Sequence, residues 1–352
     1  MFFVTPQPST EQHSSTEQHS STEPPGPTTD SLAHRQAVGG ALPISPAAAI
    51  VIAVLTYRRP AELAALLPEL SRQAASRPAT RVLVVDNDPA ASGEAVVAAA
   101  NDPTVRYVHE PRPGIAAGRN RALDEAASYD LLVFIDDDEW PNPTWLQSML
   151  ELYDRTASAA VVGPVVSEYA AAPDPWIKAG RFFDRRRLQS GTHIDVAATN
   201  NLLLDLRQVR TFGLRFDEEF GLSGGSDTLF TRELHRRGGT LVWCDEAIVI
   251  DQVPMERLTR RWVLLRALRS GNSWSRTSIK LSSSVVDRSL VRMRLTGRGA
   301  LRTTSGTAQY MVGFVTRNTA RRARGLRTCA RGIGMVSGAY GYVYSEYRRR
   351  PS

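Results

Sequence analysis

The sequence predicts an α/β fold: a mostly parallel central sheet flanked by helices, with a basic helical extension at its C-terminal end. Three observations predict it. Four apolar runs rich in β-branched residues each end abruptly in polar residues and lead into a stretch of helical character. The apolar share, 42% of 352 residues, is ordinary for a globular chain and sufficient for one large core, with or without an appendage. Positive charge is concentrated from Arg257 onward, where 21 Lys and Arg meet only Asp287 and Glu346; that is a formal +19, and it leaves −12 for the residues before.

Residues 1–46 hold Ser9-Thr10-Glu11-Gln12-His13-Ser14, the same six again from Ser15 to Ser20, and then prolines. With few apolar residues this stretch cannot offset the entropy of ordering and is expected to be a disordered, solvated tail, His13 and His19 included. A globular domain is expected over 47–256. It opens with Ala49–Leu55, a continuous apolar strand that breaks at Thr56-Tyr57-Arg58-Arg59-Pro60. Proline at a first helical position, followed by Leu63, Leu66, Leu67 and Leu70, then gives an amphipathic helix. The unit recurs. Val82–Val85 ends in Asp86-Asn87-Asp88 before a helix near Glu94–Ala100, and Val105–His109 passes Pro111, Pro113 and Gly114 into a helix from about Ala116 to Ala127 that carries Arg119 and Asn120. Leu131–Ile135 ends in Asp136-Asp137-Asp138-Glu139, and Pro143 opens the next helix.

Parallel strands collect ligands at their carboxyl ends, and adjacent aspartates repel one another unless a cation or a catalytic task compensates. The triplet is therefore expected to be where a divalent metal meets a nucleotide diphosphate. Asp136 and Asp138, alternating on the emerging strand, would point to the ligand together; Asp137 would point away and tolerate substitution.

Ala159–Val166 reads as one further strand, and Ser167–Gly191 as an irregular loop with Trp176 and Arg181–Arg187, either a binding loop or a surface excursion whose aromatics pack down. Asn200 and Asn201 stand at the start of a strand through Leu202–Leu204. In Phe216–Asp227, Gly224 and Gly225 let backbone approach a ligand closely, and Asp227 falls in the first turn of a helix running to about Arg237. Strands at Leu241–Trp243 and Ala247–Ile250 close the domain. From Arg257 the pattern Leu258, Trp262, Leu265, Leu268, with arginines between, reads as a basic amphipathic helix reaching Arg276.

In order and spacing these motifs resemble glycosyltransferase family 2, whose members adopt the GT-A fold, and within it the bacterial enzymes that build extracellular polysaccharide repeat units. The likeness runs from about Ile50 to Arg276: Thr-Tyr-Arg-Arg-Pro, Val-Asp-Asn, Pro-Gly-Ile-Ala-Ala-Gly-Arg-Asn-Arg-Ala, Ile-Asp-Asp-Asp-Glu, Gly-Gly-Ser-Asp-Thr and the Arg/Trp/Gly helix. The resemblance implies inverting transfer of a hexose from a UDP- or GDP-linked sugar to a saccharide or polyprenyl-linked acceptor. It assigns Thr56, Tyr57, Arg58, Asp86, Asn87, Arg119, Asn120, Asp136 and Asp137 to the nucleotide sugar, with Asp86 on the base. Asp136 and Asp138 become an Asp-x-Asp motif for Mg²⁺ or Mn²⁺, and Asp227 the general base. The acceptor side falls to Asn200, Asn201, Gly224, Gly225, Trp262 and Arg266. One departure is instructive: the family's glutamate before the base is Ser226 here, so any support it gives to the acceptor or the base must come from elsewhere, Asp217, Glu218 or Glu219 being in reach.

The segment 257–352 is expected to be a basic helical extension that meets anionic lipid peripherally, on the cytoplasmic face of the plasma membrane, and brings the site to a lipid-linked acceptor. Met1–Val4 is too short for a signal-peptide core, no run approaches a membrane span, and Cys244 and Cys329 match no metal or redox spacing, which favours a reducing compartment. A nucleotidyltransferase would need a glycine-rich loop after the first strand, where Thr56–Pro60 has none. A nucleic-acid-binding protein would need aromatics interleaved with the arginines, so no nucleic-acid partner is expected.

Overall fold

The computed structural model describes residues 48–343; the N-terminal repeat and the terminal Arg348-Arg349-Arg350 lie outside them. The α/β architecture is present. β1 (Ile50–Thr56), β2 (Thr80–Asp86), β3 (Val105–His109) and β4 (Leu131–Asp136) pair in parallel in the order β3-β2-β1-β4. The connections are helices: α1 (Pro60–Ala75), α2 (Glu94–Ala100) and α3 (Ile115–Glu125).

Beyond β4 the chain is less regular. A short β5 (Glu139–Pro141) precedes α4 (Trp145–Thr156), which begins two residues after the expected Pro143. The single strand expected over Ala159–Val166 is two, β6 (Ala160–Val162) and β7 (Val165–Tyr169), and they belong to different sheets. Gly163-Pro164 makes the break: proline donates no ladder bond, and a Cβ on Gly163 would run into Ala247 O and Asn201. The irregular stretch contains α5 (Pro175–Gly180) and leads to β8 (His193–Ile194). Then come β9 (Asn201–Asp205), α6 (Leu206–Thr211), α7 (Ser226–Arg236), β10 (Leu241–Trp243) and β11 (Val249–Val253). The large sheet continues from β4 through β9, β6, β10 and β8, with β9 antiparallel to both its neighbours. The second sheet has the order β5-β11-β7.

Strand parity explains the core. Ile50, Ile52, Val54, Val82, Val84, Val133 and Ile135 face α1 and α4, burying Leu63, Leu66, Leu67, Leu70, Trp145 and Met149. The alternate residues Val51, Ala53, Leu83, Val85, Leu132 and Phe134 face α3 and α7, burying Ala122, Phe230 and Leu234. A sheet covered on both faces must be apolar at every position, which is why these strands read as continuous runs.

Three long helices follow: α8 (Arg260–Lys280), α9 (Val285–Val315) and α10 (Thr319–Ala339). α9 and α10 form an antiparallel hairpin capped by the Asn318 side chain, which accepts from Arg321 N at 2.9 Å. Glycine lets them meet backbone to backbone: a Cβ on Gly334 of α10 would strike the Leu268 carbonyl of α8, and one on Gly306 of α9 would lie 2.5 Å from Cys329 N. Trp176, Ile177, Phe182 and Phe183 of the irregular stretch pack with Val263 of α8 and Ala323 of α10, so its aromatics do pack down.

The helical layer generates a contrast. Gly334→Ala should lower the midpoint of thermal unfolding, because overpacking a tight contact costs about 1–3 kcal/mol. Gly297→Ala, at an α9 position with nothing within 4 Å of the new Cβ, should leave it unchanged or raise it.

Candidate active site

A cavity of about 760 Å³ opens where β1 and β4 end. The register makes it: Leu55 lies opposite Asp136, so the polar ends of two central parallel strands emerge side by side. Thr56, Tyr57, Arg58 and Arg59 come from β1, Asn87 follows β2, and Arg119 comes from α3. Asp136, Asp137, Asp138 and Glu139 come from the end of β4 and the start of β5. The opposite wall holds Arg185, Asn200, Asp227, Asp251, Arg257, Trp262 and Arg266. Of the residues singled out from sequence, the structure thus brings together Thr56, Tyr57, Arg58, Asn87, Arg119, Asp136, Asp137, Asp138, Asn200, Asp227, Trp262 and Arg266.

Five others do not line it. Asp86 is fully buried, its carboxylate accepting from Asp88 N at 2.8 Å, Gly93 N at 2.7 Å and the Tyr107 hydroxyl at 3.1 Å, so it closes the loop after β2. Asn120 clamps the backbone of Phe216, donating to its carbonyl and accepting from its N–H, both at 2.9 Å. Asn201 ties the two sheets together: it donates to the Pro164 and Ala247 carbonyls and accepts from Trp145 Nε1. Gly224 and Gly225, at φ +77° and +102°, shape the turn into α7 against Ser273 of α8, while Gly221 and Leu222 reach the cavity instead.

Asp137 also departs from expectation. β4 ends at Asp136, so strand alternation no longer governs the next two residues. Asp137 is buried, and its Oδ1 accepts from Arg59 Nη1 at 2.7 Å; the same nitrogen lies 2.9 Å from Asp138 Oδ2. Arg257 Nη2 approaches that Asp138 oxygen at 3.4 Å and Arg257 Nη1 lies 3.9 Å from Asp251, which also pairs with Arg185. Arg59, Glu139, Arg185, Asp251 and Arg257 carried no site assignment from sequence. Only their charge could have marked them, because the reach of a long side chain is set by tertiary packing.

Burial dominates the acidic wall. It pushes the Asp136 carboxyl up to about 7, with Asp138 and Asp137 adding to the rise and Arg119 opposing it. Burial, then the charge of Asp136, holds Glu139 well above the usual carboxylate range. Glu139 Oε1 accepts from Asn200 at 2.6 Å, while its Oε2 is buried with no partner. Among the described residues no three acidic, His or Cys side chains form a ready metal cage. What the wall offers is two or three hard carboxylate oxygens, those of Asp137 and Asp138 shared with arginine, a donor set that suits Mg²⁺ or Mn²⁺ ligated partly by phosphate.

Asp227 stands in the first turn of α7, its Oδ1 accepting from Thr228 N at 2.7 Å. Beside it, Ser226 accepts from Arg119 Nη1 at 2.8 Å. Asp217 and Glu219 are engaged by Lys280 and Glu218 by Arg112, and none of the three lines the cavity, so none replaces the carboxylate that Ser226 lacks. On the far wall the Trp262 and Phe183 rings stack at 5.8 Å, with the Arg266 guanidinium over both.

The profile of the family described as Glycosyl transferase family 2 matches residues 51–205. The chain is 37% identical over 231 residues to the succinoglycan biosynthesis protein ExoM of Rhizobium meliloti (strain 1021), a match covering 64% of this chain and 74% of that one. Solved structures with a similar backbone include S. aureus TarS 1-349 in complex with UDP-GlcNAc, at TM-score 0.45 and 13% identity over 79% of this chain and 90% of that one. GalNAc-T7 with UDP, GalNAc and Mn²⁺ aligns at TM-score 0.48 and 10% identity, over 67% of this chain and 52% of that one.

The raised Asp136 carboxyl would make cation binding at this site depend on pH. Between the ordinary carboxylate pKa and about 7 the folded protein keeps a proton that the unfolded chain releases, so this group's contribution to stability is lost as pH rises through about 7. A cation needs the ionised form. Calorimetric affinity for Mn²⁺ with a nucleoside diphosphate present should therefore rise from pH 6 to 7, by at most about tenfold per titrating group, and level off by pH 8.

Proposed function

The chain belongs to glycosyltransferase family 2, and from that premise we propose that it transfers a hexose, with inversion, from a UDP- or GDP-linked sugar to a hydroxyl of a saccharide or polyprenyl-linked acceptor. The setting we infer is extracellular polysaccharide synthesis, as the name of the R. meliloti relative suggests. One observation carries the reading: the Asp136–Asp138 end of β4 and Asp227 of α7, from distant parts of the sequence, line the same cavity.

Tyr57, Arg58, Asn87 and Arg119 form the side that receives the nucleotide, and Asn200, Trp262 and Arg266 the side that receives the acceptor. Asp136 and Asp138 would hold Mg²⁺ or Mn²⁺ with phosphate oxygens completing the shell; when bound, such an ion supplies Lewis-acid neutralisation of the leaving diphosphate. Asp227 accepts the proton of the acceptor hydroxyl as that oxygen attacks the anomeric carbon, a contribution of about 10²–10⁴ in rate. With one base and no covalent sugar–enzyme bond, configuration inverts. Arg119 is oriented by the Ser226 hydroxyl and faces the donor side beside Asp136.

The helical extension supports peripheral contact with anionic lipid. Among the described residues no helix is long and apolar enough to cross a membrane. Yet Met293, Met311, Phe314 and Val315 are exposed on α9, on a chain segment dense in arginine. A protein held this way on the cytoplasmic face of the membrane would meet a polyprenyl-linked acceptor at its source.

Two experiments test the reading. Asp227→Asn should keep Mn²⁺-dependent binding of the nucleotide sugar and lose transfer by at least about a hundredfold, whereas Asp138→Ala should lose the metal-dependent part of that binding; near-normal turnover in the first variant would remove Asp227 from the role. In flotation, the protein should rise with vesicles containing phosphatidylglycerol and not with pure phosphatidylcholine, and Phe314→Glu/Val315→Glu should weaken that association. Equal flotation with both vesicles would sink the membrane proposal.

A further inference from the structure

The acidic wall is already occupied by arginine. Arg59 Nη1 bridges Asp137 Oδ1 and Asp138 Oδ2, and Arg257 shares that same oxygen of Asp138. A divalent ion approaching Asp138 therefore meets two guanidiniums, and must displace them or sit in their repulsion. Arg59 uses only this one nitrogen: its Nε and Nη2 make no hydrogen bond among the described residues. Its backbone is pinned at the start of α1 ahead of Pro60, and buried Asp137 anchors its head.

We propose that Arg59 couples cation binding to diphosphate binding: anchored on Asp137, it masks Asp138 in the ligand-free protein and yields it when a diphosphate takes up its remaining donors. The inference rests on the donor-binding reading above and adds the order in which that site fills. A diphosphate brings the negative charge that a forked guanidinium grips in two places, and a lone divalent ion brings none. Cation and nucleotide thus enter as a pair, each raising the other's affinity by the same factor. Asp137 acquires a task by the same geometry: it is the post on which Arg59 turns.

Mn²⁺ binding, followed by electron paramagnetic resonance of the free ion with and without saturating UDP and corrected for the Mn²⁺ that UDP alone chelates, reads the coupling without any turnover. In the unaltered chain UDP should tighten Mn²⁺ by at least about tenfold, within the range usual for coupled sites. Arg59→Gln should tighten Mn²⁺ binding in the absence of UDP and cut the UDP enhancement at least about fivefold, while Arg59→Lys, which keeps the charge and loses the fork, should retain only part of it. Unfolding curves check that the variants fold. Arg257→Gln, which unloads the same Asp138 oxygen, should shift nucleotide-free Mn²⁺ affinity in the same direction and decides the matter if Arg59→Gln does not fold. Unchanged nucleotide-free Mn²⁺ affinity in the variant, with UDP still binding, overturns the coupling alone; a chain that binds neither UDP nor GDP with Mn²⁺ overturns the donor-binding reading and the coupling with it.

Discussion

The pairing of β1 with β4 is the constraint on which the rest depends. Both are central, both run in the same direction, and their register sets Leu55 against Asp136. The residues that follow each strand therefore leave the sheet together, and Arg59 is delivered within hydrogen-bond distance of Asp137. A one-residue slip would turn every apolar side chain of β4 to the other face, so the core that fixes the register also fixes the site.

Around that junction the polar residues divide into two kinds. Asp86, Asn120 and Asn201 have their hydrogen-bonding capacity taken mostly by backbone groups, with Tyr107 and Trp145 side chains adding to Asp86 and Asn201, and hold loops in place. Asp136, Glu139, Arg59, Arg119 and Asp227 face the cavity. Burial raises the carboxyls of Asp136 and Glu139, and the neighbouring Arg119 and Arg185 offset that rise only in part. Asp217, Glu218 and Glu219 stay outside the cavity, and Arg119 meets the neutral hydroxyl of Ser226 there.

The parts of this arrangement legible in the sequence are those set by local pattern. β1, β2 and β4 are continuous apolar runs because both faces of the sheet are covered, and their carboxyl ends locate the cavity. The second sheet was not legible, because β5, β7 and β11 are short and meet only through long-range pairing. Asn201 and Asp86 look like ligands by position, but whether a side chain turns to backbone or to ligand depends on donors far away in sequence. Asp137 and Asp138 lie beyond the end of β4, so strand alternation does not set their directions, and Asp137 faces the cavity as the resemblance implies. The roles of Arg59 and Arg185 depend on reach across the cavity, which no one-dimensional pattern records.

Helix α8 belongs to two structures at once. One face supplies Trp262 and Arg266 to the cavity wall, and another lies in backbone contact with α10 through Gly271, Gly334 and Gly338. Among the described residues α8 runs unbroken from this cavity wall into the helical layer. An exchange of extensions between relatives cut at the end of β11 would therefore carry a foreign cavity wall along with it, whereas a cut in the turn between α8 and α9 would part α10 from the glycine surface it matches. The Trp262–Arg266 wall and the helical layer are inherited as one unit, and divergence in either constrains the other.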